Sequence, residues 1–367
     1  MPLFIDSHQD LAFNMMIFQR NYRLSALETR RAEENTSIPA ENGQCLLGWP
    51  DFQKAQTALI FGTLFILPAE HSKAHYVPAG YKTPAQAKAQ HQTEIDLYQQ
   101  LADENPEMFQ VIRTSSELDE VLLAWQETPA AYPEQTHPVG LVLLMEGAEG
   151  IANPKEMQYW WEQGVRMVGP VWGGGRFCGS GSQPGGFTEE GKELLQIMAE
   201  LGMGLDLSHM GTEATLYALD HYEGPILASH ANVLRLIPGF STQRHFTDET
   251  IRGLIERDGV MGTMPVNAFL KADWKRGDDR SGVMLEMLIR HIDAVCQMAG
   301  NTRHVAIGTD FDGGFGFPDV PYEINTISDI QLVSTQLALR GYQPADVDAI
   351  FHGNWLRMLK RILPSHG

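Results

Sequence analysis

The chain has 367 residues, 43% of them apolar, and a formal net charge of −19. That length and apolar content suffice for a full core and exclude a disordered chain. The acidity argues against nucleic acid or an anionic membrane as a partner. Three cysteines, Cys45, Cys178 and Cys296, lie far apart, form no disulfide framework or paired-cysteine metal motif, and suit a reducing compartment. No apolar run approaches the roughly 20 residues a membrane span needs. No signal-peptide pattern opens the sequence and no lipidation motif closes it, so the expected localisation is cytoplasmic.

In chain order, Leu3-Phe4-Ile5 opens a strand that ends in His8-Gln9-Asp10. Side chains alternate along a strand, so His8 and Asp10 share one side at its C-terminal end. A long polar segment, 12–56, follows, with a helix predicted around 25–34 from Ser25 as N-cap and Glu28 at capping-box spacing. The unbroken apolar run 57–67 reads as a strand buried on both faces. A polar helix over 83–103 is opened by Thr83-Pro84, and 109–113 reads as a short peripheral strand before a helix over 115–127.

From there strand and helix alternate regularly. Strand 139–145 ends in Glu146-Gly147, and helix 153–163 leads to strand 165–171 and a glycine-rich loop, 173–186. That loop lacks Gly-Lys-Ser/Thr and is not a phosphate-binding loop. Helix 188–201 leads to strand 203–207, ending in Ser208-His209; helix 212–221 leads to strand 225–228, ending in Ser229-His230. Helix 247–257 precedes strand 259–264, and helix 281–299 carries Val283, Met284, Met287, Leu288, Ile292 and Val295 at helical spacing. Strand 304–308 ends in Thr309-Asp310-Phe311-Asp312, and helices over 328–340 and 344–362 close the chain. Leaving out the peripheral strand, eight buried strands separated by helices predict an α/β fold, a (β/α)8 TIM-type barrel with long loops at the catalytic face. No internal repeat or low-complexity linker divides the sequence, so residues 1–367 read as a single domain. A doubly wound sheet would carry a glycine fingerprint after its first strand, and none is present.

In such a barrel His8, Asp10, Glu146, His209, His230 and Asp310 all stand at C-terminal strand ends and converge on one mouth. Taken singly, each histidine reads as a satisfied strand-end residue, Glu146 as a helix cap and Asp310-Phe-Asp312-Gly as an Asx turn. Taken together, three imidazoles and three carboxylates are a ligand set suited to zinc, and enough for two ions about 3.5–4 Å apart sharing one carboxylate.

The stretches Asp6-Ser-His8-Gln-Asp10-Leu11, Met145-Glu146-Gly147, Gly164-Val-Arg166, Asp206-Leu-Ser-His209, Ala228-Ser-His230 and Gly308-Thr-Asp310-Phe-Asp312-Gly313 resemble the membrane (renal) dipeptidase family of the amidohydrolase superfamily. The resemblance implies two zinc ions (Zn2+) per chain. His8 and Asp10 would hold one, His209 and His230 the other, and Glu146 would bridge. It implies that Asp310 is the catalytic acid/base and that Arg244, in Gln243-Arg244-His245, grips the substrate's terminal carboxylate. The implied reaction is hydrolysis of a dipeptide, with a C-terminal D-residue allowed, by a hydroxide shared between the metals. Trp172 falls where many members place a histidine that binds the tetrahedral intermediate; an indole donates one hydrogen bond but carries no proton. That departure keeps open an amidohydrolase for another small amide, such as an N-acyl amino acid, a cyclic amide or a lactam. A non-catalytic metal-binding protein is the reading from a different class, against which stand six competent residues at the six positions. Homodimers are common in the family, and nothing in the composition bears on one here.

Overall fold

A computed structural model describes residues 1–126 and 136–365. Among the described residues nine parallel strands form one sheet: β1 (Phe4–Gln9), β2 (Thr57–Phe65), β3 (Phe109–Val111), β4 (Val139–Glu146), β5 (Val165–Gly169), β6 (Gly204–Asp206), β7 (Ile226–Ala228), β8 (Val260–Thr263) and β9 (Val305–Ile307). Their order is β1-β2-β4-β5-β6-β7-β8-β9, with β3 paired to β4. The eight buried strands expected from the sequence are therefore the barrel staves. β3 is peripheral, as expected: it pairs with residues 139–141 of β4, whereas β5 takes residues 143–146.

The seam between β9 and β1 is held mostly by side chains. A bridge joins Gln9 to Phe311. Asp6, wholly buried, accepts hydrogen bonds from the Thr309 amide at 2.7 Å and the Thr309 hydroxyl at 2.6 Å. The Ser7 hydroxyl lies 2.5 Å from the Ser229 carbonyl and 3.1 Å from that of Ile307. A Cβ on Gly308 would meet the same Ser229 carbonyl at 2.0 Å, so only glycine admits this closure.

Alternation along the strands sorts the core. Leu59, Phe61, Val142, Leu144, Met167, Leu227, Val260 and Ala306 form one apolar cluster with Trp355, Met358 and Leu359 of helix Asn354–Ile362. The Trp355 ring packs edge-on against Phe61 at 5.2 Å, so this helix plugs one end of the barrel. Residues of opposite parity, among them Ile60, Leu64, Leu141, Leu143 and Met145, join the cluster that packs under the helices. Continued to the strand ends, the inner parity reads Thr63, Glu146, Asp206 and Ser229: the interior changes from apolar plug to polar mouth.

Several boundaries differ from the sequence expectation. The segment 12–56, expected to hold one helix, packs helices Leu11–Phe18, Ala26–Glu33, Ile38–Asn42 and Trp49–Ala55 against the barrel. The capping box stands as expected, the Ser25 amide donating to Glu28 Oε2 at 2.9 Å. The helix expected over 281–299 begins only at Leu285, because Asp279 caps a separate 3-10 turn, Arg280–Gly282. The helix expected over 344–362 is broken by a π turn, Ala349–Gly353. The helix expected over 115–127 is described as Ser115–Gln126, and residue 127 lies outside the described residues. Among the described residues no helix is long and apolar enough to cross a membrane.

Candidate metal centre

The strand ends bring His8, Asp10, Glu146, His209, His230 and Asp310 together. Three overlapping sets, His8–His230–Asp310, Glu146–His209–His230 and His8–Asp10–Glu146, each place their ligand atoms within 4.8 Å of one another. Glu146 is the pivot. Its Oε2 lies 3.4 Å from His8 Nε2, while its Oε1 lies 2.8 Å from His209 Nε2 and 3.4 Å from His230 Nε2. One carboxylate thus turns a separate oxygen to each histidine group. His8 Nε2 is 3.8 Å from Asp10 Oδ1 and 4.0 Å from Asp310 Oδ1. His209, Asp310 and Asp312 adopt left-handed backbone conformations, φ 66°, 56° and 65°. Such strain in non-glycine residues persists where the surroundings over-determine it, often at functional sites. A Cβ on Gly313 would meet Asp310 Oδ1 at 2.1 Å and Asp10 Oδ2 at 2.7 Å, so glycine keeps room for both carboxylates.

The ring nitrogens facing away from the centre fix the tautomers of two imidazoles. Ser229 Oγ lies 2.8 Å from His230 Nδ1 and 3.3 Å from His8 Nδ1, and donates its proton to Asp206 Oδ2 at 2.5 Å. Asp206 Oδ1 accepts the amides of Ser208 and Ser229 at 3.0 and 2.8 Å. With the hydroxyl proton on Asp206, the serine oxygen accepts from Nδ1–H of both rings. Their Nε2 lone pairs then point to the centre, the arrangement a metal-ligating histidine needs. Sequence reasoning quoted Asp206 and Ser229 inside its motifs but gave them no role.

The electrostatics fit a cation. Burial opposes a charge on His8, yet Glu146, Asp10 and Asp310 outweigh it and lift its pKa to about 10. Burial also opposes charge on Glu146, which His8 and His209 nevertheless hold well below the usual carboxylate range. Burial and the charge of Glu146 raise Asp10 to about 6. Burial raises Asp310 well above its ordinary value, with Asp10 and Glu146 adding to the rise. Burial, helped by Arg244, lowers His209 to about 4, and burial with His8 lowers His230 well below its ordinary value. Three buried carboxyl groups beside three imidazoles are a donor set that suits a divalent cation. His8 Nε2, buried and without a hydrogen-bond partner, is an orphaned donor atom of the kind a metal takes up.

Around this centre stand the other sequence-predicted residues. Arg244 is 8% exposed, donates from Nη1 to the His230 carbonyl at 2.9 Å, and leaves Nε and Nη2 buried without partners. The Trp172 ring lies 6.0 Å from that of His209 and packs edge-on against Phe65 and His71 at 5.2 and 5.6 Å.

Asp312, given no role from sequence, anchors the segment after β1. Its Oδ1 accepts the Leu46 amide at 2.8 Å, and its Oδ2 lies 3.1 Å from Arg20 Nη1 and 3.2 Å from the Cys45 sulfur. Arg20 also holds Glu33 through two bonds, 2.8 and 3.1 Å. All three cysteines are free and buried.

A barrel that gathers histidines and carboxylates able to hold a metal at its C-terminal strand ends fits a metal-dependent hydrolase. Residues 2–364 match the model of the membrane dipeptidases, peptidase family M19, and the chain belongs to that family. It is thus a metal-dependent dipeptidase by class. A Klebsiella pneumoniae protein from the pqqA 5' region, itself uncharacterized, is 32% identical over 234 residues, 61% of this chain and 82% of that protein. The crystal structure of a Rhodobacter sphaeroides metallopeptidase, bound to a phosphinate mimic of the dipeptide L-Ala-D-Ala, superposes with a TM-score of 0.77 at 22% identity, covering 98% of this chain and 99% of that one. That of dipeptidase AC, an M19 metallopeptidase, gives 0.75 at 23% identity, covering 99% of each chain. These likenesses bear on the fold.

Proposed function

We propose that this protein hydrolyses dipeptides with a pair of zinc ions, one held by His8 and Asp10, the other by His209 and His230, with Glu146 common to both. The observation that carries the reading is Glu146, whose Oε2 faces His8 at 3.4 Å while its Oε1 faces His209 at 2.8 Å. When bound, divalent zinc supplies Lewis acidity, polarising the scissile carbonyl and lowering the pKa of water. Asp310 takes the proton of the attacking water on its carboxylate and delivers it to the leaving amine. Its Oδ1 lies 4.0 Å from His8 Nε2, which puts the carboxylate at the proposed metal centre. Arg244 receives the substrate's terminal carboxylate: Nε and Nη2 form one edge of the guanidinium fork, and both are buried without partners. Trp172, beside His209, forms a wall of the site and contacts substrate. The L-Ala-D-Ala mimic bound by the Rhodobacter sphaeroides enzyme is the reason to include C-terminal D-residues among the substrates.

The test is hydrolysis of L-Xaa-L-Xaa, L-Xaa-D-Xaa and N-acyl amino acids by zinc-reconstituted protein, with a chelator control and metal analysis. Chelator-sensitive dipeptide cleavage with two zinc ions per chain is expected. Asp310→Asn should lower kcat by at least about a hundredfold with metal content near normal. Wild-type turnover in D310N would overturn the role given to Asp310, and cleavage of N-acyl amino acids alone would overturn the substrate.

A further inference from the structure

A dipeptide is a zwitterion, and Arg244 accounts for only its carboxylate end. The loop after β4 carries a second charged group that nothing above uses. Glu149 stands three residues beyond Glu146 and is half-buried. A Cβ placed on Gly147 would meet Glu149 Oε2 at 2.4 Å and Trp172 Cβ at 3.4 Å, so this carboxylate lies over the residue next to Glu146 and beside the Trp172 wall. Among the described residues it has no ion-pair partner. Arg176, whose charge it feels, is committed to Glu190 at 2.5 Å and to the carbonyls of Ile151 and Ala152 at 2.6 and 2.8 Å. Burial without a neutralising partner lifts its pKa to about 7. In the strand order Glu149 follows the third stave of the barrel and Arg244 the sixth, three staves further round.

We propose that Glu149 receives the free α-ammonium group of the substrate, so that the two ends of a zwitterionic dipeptide are read by an unpaired carboxylate and an unpaired guanidinium edge from loops three staves apart on the barrel mouth. The inference rests on the dipeptidase reading above and narrows it. An N-acyl amino acid satisfies Arg244 and leaves Glu149 desolvated with no counter-charge, which selects against it. The loop residue thereby separates a dipeptidase from an amidohydrolase of N-acyl amino acids.

The experiment compares L-Ala-L-Ala with propionyl-L-alanine, which differs only in lacking the ammonium group; the latter is read as turnover or as competitive inhibition. In Glu149→Gln, KM for L-Ala-L-Ala should rise roughly ten- to hundredfold, the span of a hydrogen bond to a charged group. Its kcat should change little, propionyl-L-alanine should behave as in wild type, and zinc content should be unchanged. Glu149→Asp, which keeps the charge, should recover part of the loss; a structural lesion in the loop would instead weaken both compounds alike. If wild type cleaves L-Ala-L-Ala and Glu149→Gln does so with unchanged KM, or if both compounds weaken together, this inference fails alone. If wild type cleaves no dipeptide, the underlying reading fails with it.

Discussion

The most informative perturbation removes one oxygen that touches no metal position. Ser229 Oγ supports two imidazoles at once, His230 Nδ1 at 2.8 Å and His8 Nδ1 at 3.3 Å, and passes its proton to Asp206 at 2.5 Å. In Ser229→Ala both rings lose the acceptor that keeps the proton on Nδ1 and the lone pair on Nε2. Loss of such a support typically costs about 10–100-fold in metal affinity. Because one hydroxyl serves a ligand of each proposed ion, the expected loss is at the upper end, about a hundredfold or roughly 2.7 kcal/mol. The fold should survive, since Asp206 Oδ1 keeps the amides of Ser208 and Ser229 at 3.0 and 2.8 Å; a stability loss of about 1–2 kcal/mol is expected. Zinc competition against a chromophoric chelator reads the affinity, and denaturation of metal-free protein reads the fold. Zinc affinity within about threefold of wild type, where the support is worth at least about tenfold, would refute the orientation argument.

The buried triad behind the site should matter more for stability. Arg20→Met leaves Glu33 and Asp312 buried without their shared cation, which should cost about 3–5 kcal/mol; a urea titration showing less than about 1 kcal/mol would mean that solvent or other donors already balance them. Acid should weaken the fold through His291, whose Nδ1 accepts the Val233 amide at 3.0 Å and whose pKa is pushed down to about 3 by burial and then by Arg235. The folded pKa lies below the unfolded value, so the unfolded chain takes the proton first. This contribution is complete above about pH 6.5 and declines as pH falls towards 3, by up to about 1.4 kcal/mol per pH unit. His291→Gln should therefore lose less stability than wild type between pH 7 and pH 5, by about 2 kcal/mol, and equal losses in urea midpoints would contradict the assignment.

Much of the architecture was legible because its signals are local. Continuous apolar runs marked the buried staves, and a histidine or carboxylate just after five of the eight marked the face on which they meet. His8, Glu146, His209, His230 and Asp310 could be gathered on one mouth from that alternation, and the motif spacing pointed to the family. Chain punctuation also read correctly where it depends on neighbours in sequence, as at Ser25–Glu28 and Thr83–Pro84.

What the sequence could not give depends on partners distant along the chain. Ser229 serves His8 from 221 positions away, and Thr309 holds Asp6 from 303. The polar composition of 12–56 concealed four packed helices, because some of its charges are buried in pairs: Arg20 holds Glu33 nearby and Asp312 from the far end of the chain. That Arg176 pairs with Glu190 and leaves Glu149 without an ion-pair partner among the described residues is likewise visible only in the fold. Periodicity fixes which face of an element is apolar, since that is set by local geometry. Whether a charge is solvated, paired or left facing a site is set by which remote groups the fold delivers to it, and only the tertiary structure decides that.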